Sequence, residues 1–240
     1  MQDTSALYDQ IVASPNHWFE VMVRFFIDPD NFYHIDVMQD NLFSLSTSHS
    51  AFADNVPQIG CAIAGEVDLT MIAPEETIPP MCLFRIMVRA CTDSQQSEYI
   101  YKGDFYIDTR EVSHNDDDLD VMKIHGYDAM LLFEQMYPSD DTHDYPLLDV
   151  DIVQFMASTV NVPIDARTYY AMNRFYSFTP FGYTMREMLG YIASAYGGNF
   201  VISDEGQLLL VPLGGLRSET YYLVDEGGDP ITFGGNRILV

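Results

Sequence analysis

The sequence predicts an α+β fold: an N-terminal β-barrel-like domain followed by a mixed helix and β-hairpin domain. Two observations carry this. Between His17 and Tyr127, apolar residues recur at every second position in short runs. No helix-period stretch separates those runs, which is the pattern of a barrel or sandwich, not of a parallel α/β sheet. After Asp128 the period lengthens to three and four, and strand-like sequence returns mainly as one hairpin. With 240 residues, 48% of them hydrophobic, the chain suits one large domain or two ordinary ones and is too apolar for wholesale disorder.

The elements follow in order. Thr4 to Ala13 reads as a short helix with Leu7 and Ile11 four apart, stopped by Ser14-Pro15-Asn16. From His17 a strand sets Phe19, Val21, Val23 and Phe25 on one face and Glu20 and Arg24 on the other; Asp28-Pro29-Asp30-Asn31 is a turn cluster. Leu42 to Ser48 is strand-like. In the next strand Ile63, Gly65, Val67, Leu69 and Met71 alternate with Ala64, Glu66, Asp68 and Thr70. After a loop bracketed by Pro74, Pro79 and Pro80 come strands at Leu83 to Cys91, at Tyr99 to Arg110 with an interruption expected at Gly103, and at Val121 to Tyr127.

Ala129 to Met136 reads as helix and Pro138 to Pro146 as an acidic loop. Asp149 or Asp151 is placed to cap a helix carrying Ile152, Val153, Met156 and Val160, and Asp165 to Asn173 reads as another helix. The clearest local signal is Thr184 with Glu187, a T-x-x-E capping box, ahead of the stripe Met185, Met188, Leu189, Ile192 and Tyr196. Gly197-Gly198 ends that helix, and Phe200–Ile202, the turn Ser203–Gly206 and Gln207–Leu213 form a hairpin. Asp229–Phe233 and Arg237–Val240 look like further strands. The expected division is an N-terminal helical segment (1–16), a barrel (17–128), a mixed α+β unit (129–220) and a strand-like tail (221–240), a candidate start of a second barrel.

Thirty-six acids against 11 bases, two of them lysine, leave a formal charge of −25. That excess argues against binding duplex DNA, which needs a basic surface, and against an anionic membrane. No apolar run approaches the length of a membrane-spanning helix, and the first residues lack the basic region of a secretory signal. Cys61, Cys82 and Cys91 form no C-x-x-C pair and read as buried, reduced side chains.

The candidate chemistry is thin. His17, His34, His49, His114, His125 and His143 fall into no H-E-x-x-H or H-x-H pair, so zinc has no support from spacing, and His125 reads as a structural histidine. The clusters Asp116–Asp118 with Asp120, and Asp140-Asp141 with Asp144, Asp149 and Asp151, lack the calcium-loop pattern and read as solvated loops. Glu66 and Asp68 share one strand face and, with Glu98 or Asp108, could make a paired-carboxylate site of glycosidase type, but nothing singles them out among 36 acids and they read as a solvent-facing or interface strand face. No G-x-S-x-G elbow or phosphate-binding loop occurs, and the pairs Gly197-Gly198, Gly214-Gly215, Gly227-Gly228 and Gly234-Gly235 suit short turns. No catalytic residue, metal ligand or cofactor is therefore expected.

Several stretches resemble tail proteins of siphophages and prophages from gut Firmicutes, specifically the baseplate hub, or tail-associated, protein. They are Leu42–Thr47; Pro57, Gly60, Ala64, Glu66, Asp68 and Leu69; Gly103 with Phe105–Asp108; His125–Met130; Gly182–Ala193 running through Gly197–Phe200 to Asp204, Gly206 and Leu208; and Asp229–Gly235. The resemblance implies a structural, non-enzymatic virion protein, made in the bacterial host's cytoplasm, that closes the tail tube and organises tail-tip assembly and genome passage. It also implies a homotrimeric ring of paired barrels with a helical insert, the second barrel lying beyond Val240. The partners would be the distal tail protein, the tape measure and a central fibre or spike, with DNA passing through unbound. Two other readings stay open: a host-surface glycan-binding module, for which Trp18 and sixteen tyrosines are available, and part of a tail-associated peptidase or cell-wall hydrolase.

Overall fold

The structure, a computed structural model, describes residues 4–28, 32–50, 58–114, 119–139, 141, 143–177 and 180–213, and the backbone of 232–233 and 236–237. Helix and strand are both present, and most of the strand belongs to one curled antiparallel sheet.

Helix α1 (Ala6–Val12) is capped by Ser5, whose hydroxyl accepts the Tyr8 N–H. Strands β1 (Trp18–Asp28), β2 (Tyr33–Met38), β3 (Leu42–Ser48), β4 (Glu66–Ile72), β5 (Leu83–Cys91), β6 (Ile100–His114) and β7 (Asp120–Tyr127) make a sheet of order β2-β1-β5-β6-β7-β4-β3. All pairs are antiparallel, so β2 and β3 run the same way. Only the single 3-10 turn Gln39–Asn41 separates them. In a flat sheet these two edges would lie about 29 Å apart, whereas Met38 to Leu42 reaches at most about 14 Å. The sheet must therefore curl. One bent strand, Tyr33–Ser48, pairs first with β1 and then with β4 and draws the two edges together into a half-barrel.

Inside the curl lies a core of Val23, Phe25, Val37, Val67, Leu69, Met71, Phe84, Ile86, Phe105, Ile107 and Ile124, with Ile78 from the proline loop filling one end. The expected alternation holds in β4 and β5, where Val67, Leu69, Met71, Phe84 and Ile86 are buried. It does not hold at the start of β1, where Trp18 and Phe19 are 45% and 43% exposed. Gly103 does not interrupt β6. It pairs with Ile86 at φ +137° beside a bulge, in which Lys102 is the extra residue between the partners of Ile86 and Met87.

Beyond β7, Asp128 caps a 3-10 turn, Ala129–Glu134, in place of the expected α-helix. There follow β8 (Leu147–Leu148), α2 (Asp149–Thr159), α3 (Ala166–Ala171), β9 (Phe175–Tyr176), α4 (Met185–Ala195), and the hairpin β10 (Gly198–Ile202) and β11 (Leu208–Pro212). The two-residue strands β12 (Thr232–Phe233) and β13 (Asn236–Arg237) pair with each other; Asp229–Ile231 and Ile238–Val240 of the expected terminal strands lie outside the described residues. Thr184 and Glu187 form the full capping box.

Asp149 and Asp151 do not cap α2. Leu148 holds the cap position, and Asp149 is the first helical residue, fully buried. Its carboxylate accepts the N–H groups of Val150 and Arg174 and the hydroxyl of Tyr196. A carboxylate with that many donors is better satisfied inside than at a solvent-facing cap.

A second core gathers Met130, Phe133, Ile152, Met156, Met188, Leu189, Ile192, Phe200 and Leu210. Ala62 belongs to it, although it precedes β4 in the sheet. Residues 58–63 run beside β10, where Gly60 N–H donates to Gly198 O (2.8 Å), Phe200 N–H to Cys61 O (2.9 Å) and Ile63 N–H to Phe200 O (2.8 Å). On the other side Leu208 N–H donates to Pro163 O and Asp165 N–H to Leu208 O. The hairpin thus becomes the centre of a four-stranded arrangement laced to the segment that enters β4.

Candidate functional site

The sheet's outer face carries the charged residues in ordered rows. Across four strands, Asp36, Arg24, Arg85 and Asp104 stand opposite one another in register. Each arginine makes a two-pronged pair with the acid on its far side: Arg24 with Asp36 at 2.6 and 2.8 Å, and Arg85 with Asp104 at 2.8 and 2.8 Å. Two like charges directly opposite each other would repel, and the flanking acids remove that conflict. Arg85 also lies 4.8 Å from the Tyr101 ring and 5.4 Å from Phe26. Two rows away on the same face, past Met22 and Met87, Arg89 binds Glu20 and stacks on Tyr99 at 4.6 Å. The hydrogen bond from Arg24 holds the Asp36 carboxyl below its usual range.

Further round the same face the balance turns acidic. Glu66 and Asp68 of β4 and Asp108 and Glu111 of β6 are all exposed. The strand between them, β7, offers Lys123 and His125. Burial raises the Tyr127 hydroxyl above its ordinary pKa, and the nearby charges of Glu66, Asp108 and Asp68 add to the rise. In register Glu66 stands opposite Tyr127 and Asp68 opposite His125, and Asp108 lies at the irregularity of β6 between the partners of Gly126 and His125. Glu98 is engaged elsewhere, accepting the N–H and hydroxyl of Ser5 and tying α1 to the sheet. Asp68 and Glu111 line a depression of about 300 Å³ on this open strand face.

The histidines sit mostly on carboxylates. His125 Nδ1 is 2.9 Å from Asp68 and its ring meets Tyr127 edge-on; His114 lies 2.9 Å from Asp120; His34 is 3.8 Å from Asp36. Asp141, of the second acidic cluster, accepts both tyrosine hydroxyls of Tyr137 and Tyr145 and the backbone and ring of His143. Burial works against its charge, but these donors outweigh it and hold its pKa at about 2. Asp116–Asp118 and Asp140 lie outside the described residues. Among the described residues no group of three or more histidine, cysteine or acidic side chains is arranged to hold a metal ion. Cys61, Cys82 and Cys91 are free, and burial pushes the Cys82 thiol up to about 11.

One residue that sequence reading passed over stands at the joint between the two cores. Asp128 is 3% exposed. Its Oδ2 accepts the Gly65 N–H at 2.6 Å, its Oδ1 accepts the Met130 N–H at 2.9 Å, and its own N–H donates to Gly65 O at 2.9 Å. Burial raises its carboxyl to about 7 against the pull of those two N–H bonds. The side chain lines a cleft of about 350 Å³ shared with His49, Arg167, Asp204 and Glu205. Gly65 has no room for a side chain there, because a Cβ would lie 2.7 Å from His49 Nδ1 and 2.8 Å from Asp128 Oδ2. The sequence signal was present: an aspartate between an alternating strand and the apolar run 129–133 is a cap position.

The chain is similar in fold to the 43 kDa tail protein of prophage MuSo2 from Shewanella oneidensis, with a TM-score of 0.56 and 13% identity over 82% of this chain and 56% of that one. A tail protein from Neisseria meningitidis MC58 matches with a TM-score of 0.49 and 12% identity, covering 89% of this chain and 53% of that one; the fold likeness rests on the first. The chain spans just over half the length of both. No family model and no curated protein matches it.

Proposed function

We propose that the chain is a structural component of a phage tail tip, a hub that closes the tail tube and organises assembly and genome passage in the virion. The observation that carries this is the fold shared with the MuSo2 tail protein over 82% of the chain. In this reading residues 17–128 form the ring-building barrel and 129–220 the insert that braces it. Homotrimerisation joins the subunits, and the distal tail protein, tape measure and central fibre or spike are the neighbours. The role is mechanical, not enzymatic.

The charge distribution supports it. Arg24, Arg85, Arg89, Arg167 and Arg186 are each paired with an acid of their own chain. The outward face of β4, β7 and β6 sets four acids, Glu66, Asp68, Asp108 and Glu111, against Lys123 and His125, and a lumen lined by such an acid excess repels DNA phosphate and lets the genome pass without sticking. Light scattering of the purified chain over a concentration series tests the assembly step. A trimer mass, with a central opening in electron micrographs, is the expected result. A monomer at every concentration, in the presence as well as the absence of the distal tail protein, refutes it.

A further inference from the structure

A groove of about 400 Å³ runs along α4 where residues 58–62 cross it. Its floor is backbone. Gly60 and Gly190 meet there so closely that a Cβ on Gly190 would lie 2.8 Å from Gly60 O. One wall is Tyr191, 51% exposed, which meets the ring of Tyr183 edge-to-face at 5.4 Å and 84°. Such a contact occupies at most one face of the Tyr191 ring, and Tyr191 is among the residues that line the groove. The groove is also lined by Glu134 and Arg186, bonded to each other, their side chains 50% and 33% exposed. Arg186 is further fixed by donating from Nε to Ala62 O at 2.8 Å.

This combination is specific in its chemistry. A pyranose ring has an apolar C–H face and a rim of hydroxyls that both donate and accept. The C–H face suits an aromatic wall. The hydroxyls suit a planar carboxylate and guanidinium held in place beforehand, which recognise pairs of groups in two-pronged fashion. The volume falls within the range of small-molecule sites. A protein interface would centre on apolar residues with charges at its rim; here the lining is mostly polar, with the Glu134–Arg186 ion pair, Thr184, Glu187 and Ser194 beside the single aromatic Tyr191. We propose that this groove is a saccharide-binding site that takes one or two pyranose rings, with Tyr191 as the stacking platform and Glu134 and Arg186 as the hydroxyl-binding pair. It goes beyond the tail-hub reading and does not depend on it.

Saturation-transfer NMR with the methyl glycosides of glucose, galactose, N-acetylglucosamine and rhamnose, each at millimolar concentration, tests it on the whole chain. At least one is expected to receive saturation on the C–H protons of one ring face, with a millimolar Kd. Tyr191→Ala is expected to abolish the signal and Glu134→Gln to weaken binding about tenfold. Trp18→Ala, which removes an exposed aromatic outside the groove, should leave it unchanged. Both groove positions are solvent-exposed, and unchanged thermal melts would verify that the variants fold. Absence of transfer to all four glycosides overturns the proposal, as does a signal that survives Tyr191→Ala. A Tyr191→Ala variant that changes the mass in solution and no sugar signal would reassign the groove to a protein contact.

Discussion

Replacing Asp128 by asparagine changes how the protein's stability depends on pH. The folded carboxyl titrates at about 7, against an ordinary value of 3.8. Between those values the folded state holds a proton that the unfolded chain has lost, so stability falls as pH rises, with a slope of up to about 1.4 kcal/mol per pH unit. The contribution is fully present below pH ~4, declines through the interval and is gone above pH ~7. From pH 5 to pH 8 the loss amounts to roughly 3 kcal/mol. Other carboxyls act on the opposite side: Asp141, held at about 2, loses its stabilising effect only as pH falls below ~4. Asparagine cannot titrate. It also turns an NH2 toward one of the two N–H groups, which adds a pH-independent penalty. Urea unfolding of wild type and Asp128→Asn at pH 5, 6, 7 and 8 isolates the titrating part as the change in their difference. That difference should shrink by roughly 3 kcal/mol across the series; parallel curves would show that Asp128 is charged throughout and that its two N–H bonds outweigh burial.

Two further substitutions probe the second core. Gly60→Ala forces a side chain onto a backbone at φ +82° and sets its Cβ 1.9 Å from Ser194 Oγ; a loss of about 2–4 kcal/mol in chemical unfolding is expected, and a loss below about 1 kcal/mol would mean that the 58–63 segment yields without cost. Tyr196→Phe removes the hydroxyl that donates to buried Asp149 and accepts the Asn173 N–H; thermal melts should show a loss of about 1–3 kcal/mol, and an unchanged melting temperature would exclude Asp149 as an anchor of α2.

Strands that alternate cleanly were legible from sequence, and β3 and β5 fall on the residues expected. The α4 helix was equally plain, because its capping box and apolar stripe are local signals. Strand β2 was overlooked between a turn cluster and a stronger run, although Ile35 and Val37 alternate with His34 and Asp36. Its partnership with β3 as one bent strand is a property of sheet closure, which no short window of sequence contains. The alternation starts the strand at Ile63, whereas β4 begins at Glu66 and residues 58–63 run beside β10, with Ala62 in the other core; small residues carry too little pattern to say which core they enter. Of the carboxylates considered together, Glu66, Asp68 and Asp108 lie on β4 and β6, either side of β7, but on an open strand face, and Glu98 went to the N-terminal helix. An acid before an apolar run is usually a cap, which is why the sequence points to Asp149; two donors from distant parts of the chain, the Arg174 N–H and the Tyr196 hydroxyl, draw it inside.

The lacing of residues 58–63 to β10 also has a mechanical side. The Gly60, Ile63 and Phe200 N–H bonds hold two strands that run parallel, as the Ala62–Phe200 bridge shows. A pull that drags one strand lengthwise past the other loads all three bonds at once, in shear, and cannot peel them singly. Such a joint resists sliding along the strands, and the same joint would open readily to a sideways peel begun at either end.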